Sequence, residues 1–213
     1  MMNSFSLKEL EFFHFSNVFG FDEAGRGPLA GPVTIAIVSF SKETLFQIKE
    51  GKVLQGLGDS KKISHKKRLD LFPKIKELAQ LWCIQSVSSK YIDCFNINQA
   101  IFYGLGKAIS KLSAQDSFFI LDGNYNLNQS LYWKKFPEYI SIPKADSTII
   151  SVAAASILAK VARDAIMQAY SKKIKGYGFE KHMGYGTQMH TLSIREKGLS
   201  KIHRRSYCKN IIL

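Results

Sequence analysis

Hydrophobic runs alternate along the chain with segments of helical periodicity. Continuous apolar or β-branched runs predict strands at residues 17–22, 33–40, 81–87, 117–122 and 139–142. Apolar residues spaced three and four apart predict helices over residues 64–79, 96–112 and 149–170, with Ser64 and Asn96 as N-cap candidates. After a glycine-rich stretch, a short helix is predicted over 187–197. Alternating strands and helices favour an α/β fold with a mixed sheet flanked by helices. From about residue 175 onward, we expect a small C-terminal helical extension packed on it.

Length and composition fit one globular domain over residues 1–213, because 213 residues with 46% hydrophobic content can bury a sizeable core. The uncharged run at 147–159 is too short for the roughly 20 apolar residues of a membrane span. Lys8, Glu9 and Glu11 interrupt the apolar run that a signal peptide requires. Three cysteines without CxxC spacing argue against a disulfide framework or a structural zinc site. We therefore expect a cytoplasmic, reduced monomer with no membrane partner.

The charge balance changes the picture by pointing to a partner. The chain has 30 Lys and Arg against 17 Asp and Glu, a formal net charge of +13. This excess favours a polyanionic ligand, most simply a nucleic acid. A surface kept soluble by lysine would have the same composition, so charge alone does not decide between the two.

The few acids fall at the ends of predicted strands and at the start of a helix. Asp22 and Glu23 end the first strand, Asp122 ends the strand at 117–122, and Asp146 precedes the long helix. In an open α/β sheet, ligands gather at strand ends, and a buried acid is costly unless it is paired or binds a cation. Converging acids therefore indicate a site for a pair of divalent metals that could promote phosphate hydrolysis.

Each acid also has a simpler interpretation. Asp146 before Ser147 could be the N-cap of the long helix, and Asp122 before Gly123 could be part of an ordinary turn. The adjacent pair Asp22 and Glu23 is more specific, since a turn does not need two acids on an apolar strand.

The glycine-rich segment after the first acids fits the spacing GxGxxA of a dinucleotide-binding turn at residues 25–30. That fingerprint requires a following helix, whereas Pro32 and a β-branched run follow here, so the dinucleotide interpretation fails. The glycines still allow close approach of the backbone to a ligand, and Arg26 could meet a phosphate or brace the loop.

Two further patterns were open to interpretation. Ser156, Lys160, Arg163 and Met167 form a partly cationic stripe on the long helix, although Lys160 and Asp164 could simply be an i,i+4 pair on a solvated face. The histidines at 182, 190 and 203 lack metal-ligand spacing, so surface or stacking roles are expected.

Taken together, these segments resemble the ordered motifs of ribonuclease HII, the type 2 ribonucleases H. Residues 20–33 (GFDEAGRGPLAGPV) resemble the opening signature of the family. Five further blocks follow in family order: 59–64 (DSKKIS), 121–124 (LDGN), 144–147 with 153–164 (KADS, AAASILAKVARD), 182–187 (HMGYGT) and 203–207 (HRRSY). Only about twenty residues precede the first acids, which favours this type over ribonuclease HIII with its additional N-terminal domain.

The resemblance implies a ribonuclease H-like fold and an endonuclease. Its substrates would be the RNA strand of RNA/DNA hybrids and single ribonucleotides embedded in duplex DNA, cut on their 5′ side to leave 3′-hydroxyl and 5′-phosphate ends. It assigns catalysis and the binding of Mn²⁺ or Mg²⁺ to Asp22, Glu23, Asp122 and Asp146. Gly25, Arg26, Gly27 and Tyr185 would sense the 2′-hydroxyl, the group that distinguishes RNA from DNA. Between two glycines, Tyr185 is expected in a flexible setting.

Six cationic residues are candidates to bind the phosphates that flank the cut: Lys61, Lys160, Arg163, Lys181, Arg204 and Arg205. The sequence departs from the family pattern in Ala145, where glycine commonly precedes the fourth acid, and in a long segment at 125–141 that we interpret as a surface excursion.

A catalytically silent nucleic-acid binder is the alternative hypothesis. It predicts salt-sensitive binding without metal-dependent turnover.

Overall fold

The computed structural model describes residues 5–58 and 63–211. Its strands are β1 (Val18–Ala24), β2 (Val33–Ser39), β3 (Leu81–Val87), β4 (Phe118–Asp122) and β5 (Tyr139–Ile142). Its α-helices are α1 (Lys42–Lys49), α2 (His65–Leu78), α3 (Ser89–Leu112), α4 (Ile150–Lys173), α5 (Phe179–His182) and α6 (Gln188–Lys197). Short 3₁₀ helices lie at Lys8–Phe12, Leu127–Gln129, Ala145–Ser147 and Arg205–Tyr207.

The five predicted strands and the long helices are confirmed, whereas α1, α5 and the 3₁₀ helices were not predicted. Helix α3 begins at Ser89 rather than at 96, because the chain continues through a kink at Asn96, whose φ is +69°. The Asn96 side chain nevertheless acts as the predicted cap, since its Oδ1 accepts a hydrogen bond of 3.1 Å from the Gln99 amide. The pattern therefore located the cap but not the preceding turns of helix.

Strand β1 lies at the centre of a five-stranded mixed sheet of order β3-β2-β1-β4-β5. It pairs antiparallel with β2 and parallel with β4, and β4 in turn pairs parallel with β5. The parallel pairing places Phe21 beside Leu121, so that the residues after each, Asp22 and Asp122, emerge at the same edge of the sheet.

Helices cover both faces of this sheet. Every residue of β2 is buried, and its side chains alternate between two cores: Ala36 and Val38 pack with α4, whereas Ile35 and Ile37 pack with α3. The small residues at 153–155 of α4 are fully buried and allow this helix to lie close to β1. The sheet is thus the middle of three layers, with α3 on one side and α4 on the other.

The C-terminal extension packs on the loop between β1 and β2. Ala30 of that loop and Met167 of α4 share a buried cluster with Phe179, Ile194 and Ile202 of the extension. Two backbone hydrogen bonds of 2.8 Å, from the Gly31 amide to the Ile202 carbonyl and from the Arg204 amide to the Leu29 carbonyl, join the same segments. The extension is therefore anchored directly to the glycine-rich loop.

Within residues 5–58 and 63–211, the helices are too short or too polar to meet the requirements of a membrane span.

The closest approach between β1 and α4 generates a stability prediction. At Gly20, an added Cβ would lie 2.2 Å from the Ser151 carbonyl carbon and 2.3 Å from the Val152 amide nitrogen, and these backbone atoms cannot rotate away. We expect Gly20→Ala to reduce the free energy of unfolding by about 1–3 kcal/mol or more, measured by urea denaturation. Gly58→Ala is the control, because no heavy atom of the described residues lies within 4 Å of its added Cβ. Equal urea midpoints for the two variants would contradict this packing.

Candidate active site

Three of the four predicted acids come together at one edge of the sheet. Asp22 is the last buried residue of β1, Asp122 ends β4, and Asp146 lies in the 3₁₀ helix that leads into α4. Each offers a carboxylate oxygen, and these oxygens lie within 4.8 Å of one another. The parallel pairing of β1 with β4 and the packing of α4 on β1 produce this convergence, which a single sequence could not show.

The acids are positioned by the local backbone. The Ala145 amide donates a 2.7 Å hydrogen bond to Asp122 Oδ1, which ties the turn carrying Asp146 to the end of β4. The N-cap of α4 is Ile149, so Asp146 does not have the capping role considered as its alternative. Ala145 stands where glycine is common in the family, but the left-handed φ of this turn, +60°, belongs to Lys144. Ala145 itself is fully buried in the 3₁₀ helix. The Asp122-Gly123 turn does form, with φ of +113° at Gly123, and is compatible with convergence of the acids.

Glu23 lies beside this group of three acids rather than within it. Successive side chains of a strand point to opposite faces, which separates Glu23 from Asp22. Its side chain is 8% exposed, lies 3.7 Å from Arg26 Nη1 and is hydrogen-bonded by the Tyr125 hydroxyl. Burial, followed by the charge of Glu23, raises the pKa of Tyr125, which therefore keeps its proton.

Burial and, after it, neighbouring negative charge determine the electrostatics of Asp22. Burial raises the pKa of Asp22 well above its usual value, and the charges of Glu23 and Asp122 raise it further. Hydrogen bonds from the Ser156 hydroxyl and from the Glu23 amide, the latter 2.7 Å long, lower it in part. A cluster of carboxylate oxygens with this unfavourable charge fits a hard divalent cation such as Mg²⁺ or Mn²⁺.

The acids open into a cavity of about 190 Å³ that also contains the predicted substrate-sensing elements. Its walls include Asp22, Glu23, Asp122, the loop at 25–27, Ser156, Lys160 and Tyr185. Tyr185 is 44% exposed, with Arg163 5.8 Å from its ring centroid. The structure thus brings the predicted sensing residues together with Asp22, Glu23 and Asp122 in one cavity.

Two buried arginines hold the backbone of residues 25–32 by hydrogen bonds. Arg204 donates hydrogen bonds to the carbonyls of Gly25 (2.6 Å), Arg26 (2.7 Å), Gly31 (3.1 Å) and Pro32 (3.2 Å). Arg163 donates to the carbonyls of Ala30 (3.2 Å), Pro32 (3.0 Å) and Met183 (3.0 Å). Gly25 has φ of +98°, and a Cβ there would lie 2.1 Å from Arg163 Nε, so only glycine fits over the arginine.

This placement corrects the prediction that Arg163 and Arg204 contact phosphates. The two residues are 1% and 0% exposed, and their guanidinium groups are engaged by backbone carbonyls. Burial lowers the pKa of Arg204 to about 10, with a further contribution from the charge of Arg163, and burial also lowers the pKa of Arg163. Both stay positively charged at neutral pH and brace the loop.

The remaining predicted cations are distributed more widely. Lys160 lines the cavity while donating a 2.8 Å hydrogen bond to Asp164, so the expected i,i+4 pair is present beside the site. Lys181 and Arg205 are exposed on the extension, and Lys61 lies outside the described residues. Arg26, which also lines the cavity, donates hydrogen bonds to the Tyr125 hydroxyl (2.8 Å) and to Asn98 Oδ1 (3.0 Å).

Two segments around the site make contacts that the sequence pattern did not indicate. The backbone of Tyr185 is tied on both sides: its amide donates to the His182 carbonyl (2.9 Å), and its carbonyl accepts from the Thr187 amide (2.8 Å) and bonds His190 Nδ1 (2.9 Å). The backbone of Tyr185 is thus hydrogen-bonded through both its amide and its carbonyl, although the residue lies between two glycines. The excursion at 125–141 also starts inside the site, because Tyr125 contacts Arg26 and Glu23. A tyrosine in a polar loop gave no sequence signal for this role.

Comparisons with known proteins agree with this arrangement. The family model described as Ribonuclease HII matches residues 19–210. A curated ribonuclease HII of Clostridioides difficile (strain 630) is 42% identical over 197 residues, covering 91% of this chain and 70% of the relative. A ribonuclease HII of Chlorobaculum parvum is 40% identical over 197 residues, covering 90% of this chain and 89% of the relative.

Solved structures show the same fold. The ribonuclease H2 from Pyrococcus horikoshii OT3 has a TM-score of 0.71 at 24% identity, covering 92% of this chain and 96% of that chain. The ribonuclease HII of Archaeoglobus fulgidus, solved in a complex with PCNA, has a TM-score of 0.70 at 25% identity, covering 88% and 93%. The expected ribonuclease H-like α/β fold is thus confirmed. The chain belongs to the ribonuclease HII family and is a nuclease, a hydrolase of phosphodiester bonds.

Proposed function

We propose that this protein is an endonuclease that hydrolyses the RNA strand of RNA/DNA hybrids. We further propose that it cuts on the 5′ side of single ribonucleotides embedded in duplex DNA and leaves 3′-hydroxyl and 5′-phosphate ends. The observation that carries this proposal is the cavity in which clustered aspartates face the loop at 25–27 and the exposed ring of Tyr185. Membership of the ribonuclease HII family supports it.

The catalytic metal site is proposed to consist of Asp22, Asp122 and Asp146, with Glu23 as a fourth ligand. When bound, a pair of Mn²⁺ or Mg²⁺ ions would supply an activated water and charge stabilisation for the leaving 3′-oxygen. The Ser156 hydroxyl is hydrogen-bonded to Asp22, and the Ala145 amide donates a hydrogen bond to Asp122 Oδ1. Such outer hydrogen bonds orient metal ligands and tune their affinity.

Recognition of the 2′-hydroxyl is assigned to the loop at 25–27 and to Tyr185. Arg204, which is buried, donates hydrogen bonds to the carbonyls of Gly25 and Arg26. The other side of the loop faces the cavity. At Gly27, no heavy atom of the described residues lies within 4 Å of an added Cβ. The loop can therefore approach a sugar closely, and the ring of Tyr185 can stack against the neighbouring one.

Binding of the flanking phosphates is proposed for the accessible cations Lys160, Lys181 and Arg205, and for Lys61. The formal net charge of +13 supports a polyanionic substrate whose affinity falls with rising salt.

The first test is cleavage of a DNA duplex that contains one ribonucleotide, in the presence of Mg²⁺ or Mn²⁺. We expect a single cut on its 5′ side, abolished by chelation, and a loss of more than about 100-fold in Asp22→Asn, since even outer partners of metal ligands cost 10–100-fold. Asp70→Asn is the matched control, because it removes one negative charge from an exposed carboxylate paired with Lys74 on α2. Cleavage that survives Asp22→Asn would overturn the proposal. Salt-sensitive binding without turnover would instead indicate a silent binder.

A second prediction concerns stability without metal. The raised pKa of Asp22 means that its charged form destabilises the folded state as the pH rises through that pKa, whereas no such penalty exists below the unfolded-state value. Asp22→Asn should therefore raise the Tm in EDTA at neutral pH, by about 2–4 °C for each kcal/mol relieved. The difference should shrink as the pH is lowered. Added Mg²⁺ or Mn²⁺ should raise the Tm of the unaltered protein more than that of Asp22→Asn. A lower Tm for Asp22→Asn in EDTA would argue against charge crowding.

A third prediction tests the arginine brace. A lysine at position 204 keeps the charge but presents one compact ammonium, which cannot reproduce hydrogen bonds to four carbonyls. We expect Arg204→Lys to lower kcat/KM for the single-ribonucleotide duplex by about tenfold or more, through misplacement of the loop. Arg195→Lys, an exposed change on α6, is the control. Unchanged kcat/KM in a folded Arg204→Lys protein would show that the brace does not position the loop.

A further inference from the structure

Three histidines lie buried beneath Tyr185, where the sequence pattern predicted surface or stacking roles. His182, His190 and His203 are 9%, 0% and 3% exposed. The rings of His182 and His190 are stacked with centroids 4.4 Å apart, and Phe179 presents its edge to His190 at 5.4 Å. Stacking is therefore present, but the hydrogen bonds of these rings extend beyond packing.

The bonds of His203 and His190 specify where each proton must be. His203 Nδ1 accepts a 2.9 Å hydrogen bond from the Ser200 amide, so the proton of a neutral His203 is on Nε2. That Nε2 lies 3.0 Å from His190 Nε2, which must then accept. The remaining proton of His190 is on Nδ1, which donates 2.9 Å to the Tyr185 carbonyl. The resulting chain, His203 to His190 to Tyr185, has one consistent arrangement of protons.

Both rings must be neutral for this chain to form, and their surroundings favour that state. Burial, with the neighbouring charge of His190, lowers the pKa of His203 to about 4. Burial also lowers the pKa of His190. A protonated His190 would set its Nε2–H against the Nε2–H of His203 across the 3.0 Å contact, and a protonated His203 would set its Nδ1–H against the Ser200 amide at 2.9 Å.

The chain ends on the residue whose side chain enters the catalytic cavity. Tyr185 combines a fixed backbone with a ring that is 44% exposed and reaches the cavity of the acids. His182 supports the same turn, because its carbonyl accepts from the Tyr185 amide and its Nδ1 accepts from the Gly184 amide (3.2 Å). The hydrogen bonds of the histidines thus converge on the turn from 184 to 187.

We propose that His190 and His203 are positioning residues for substrate recognition: their hydrogen-bond chain fixes the Tyr185 carbonyl and thereby holds the tyrosine ring at the cavity. The proposal rests on the role of Tyr185 given above and adds two residues that do not touch substrate. It also assigns them defined tautomers, Nδ1–H for His190 and Nε2–H for His203.

A double-mutant cycle tests the coupling with the single-ribonucleotide duplex as substrate. We expect His190→Leu to lower kcat/KM by about 10- to 100-fold through misplacement of Tyr185, and Tyr185→Ala to do the same. In the Tyr185→Ala background, His190→Leu should add less than about threefold, because the residue it positions is gone. His190→Asn can place an amide donor near the position of Nδ1 and should restore most of the activity.

The outcomes separate the two proposals. Undiminished cleavage by Tyr185→Ala would contradict the role of Tyr185 in the proposed function. Loss in Tyr185→Ala together with a fully additive effect of His190→Leu would overturn only the positioning role of the histidines.

A spectroscopic measurement on the unaltered protein does not depend on variants that fold. Long-range ¹H–¹⁵N correlation spectra of the imidazole nitrogens at neutral pH should show neutral Nδ1–H for His190 and neutral Nε2–H for His203. Reversed tautomers, or a charged ring at either position, would overturn the proposed chain.

Discussion

Three carboxylates held within 4.8 Å of one another at a sheet edge are the constraint on which the rest of the structure depends. Parallel strands β1 and β4 end together, and α4 is packed so closely on β1 that Gly20 has no room for a side chain. These contacts hold the acids close together, and burial together with the charges of Glu23 and Asp122 raises the pKa of Asp22. The fold thus stores unfavourable electrostatic energy at the point where a cation would relieve it.

The positively charged residues near this cluster of acids are of two kinds, buried and exposed. Arg163 and Arg204 are buried, and their hydrogen bonds turn the carbonyls of the glycine loop toward the protein. Lys181 and Arg205 are exposed and can meet a polyanion directly. The composition could not separate these two roles, because a net charge of +13 does not distinguish an arginine that shapes a loop from one that binds a phosphate.

Much of the fold and the identities of the acids could be predicted from the sequence because they depend on local patterns. The β-branched run at 33–40 and the Ser64 cap are local signals, and both elements are confirmed. The roles of Arg163 and Tyr125 depend on residues about 20 to 130 positions away, and that of His190 on a carbonyl 5 residues and a ring 13 residues away, so metal-ligand or helical spacing could not reveal them. Of these three residues only Arg163 lies within one of the motif blocks, and the contacts of all three side chains become visible only in the structure.

One face of α4 connects the chemistry of the site to its specificity. Along the stripe that could have been a solvated face, Ser156 bonds Asp22, Lys160 lines the cavity, Arg163 braces the glycine loop, and Met167 packs beneath Gly31 and Gly184. Asp22 and Asp122 belong to the sheet and Asp146 to the turn before α4, whereas Tyr185 and Arg204 belong to the C-terminal extension. Since the same helix touches both, a shift of α4 would move the acids and the sensing residues together. The placement of Tyr185 and of the glycine loop relative to the acids therefore depends on how the extension docks on α4, as well as on the residues that line the cavity.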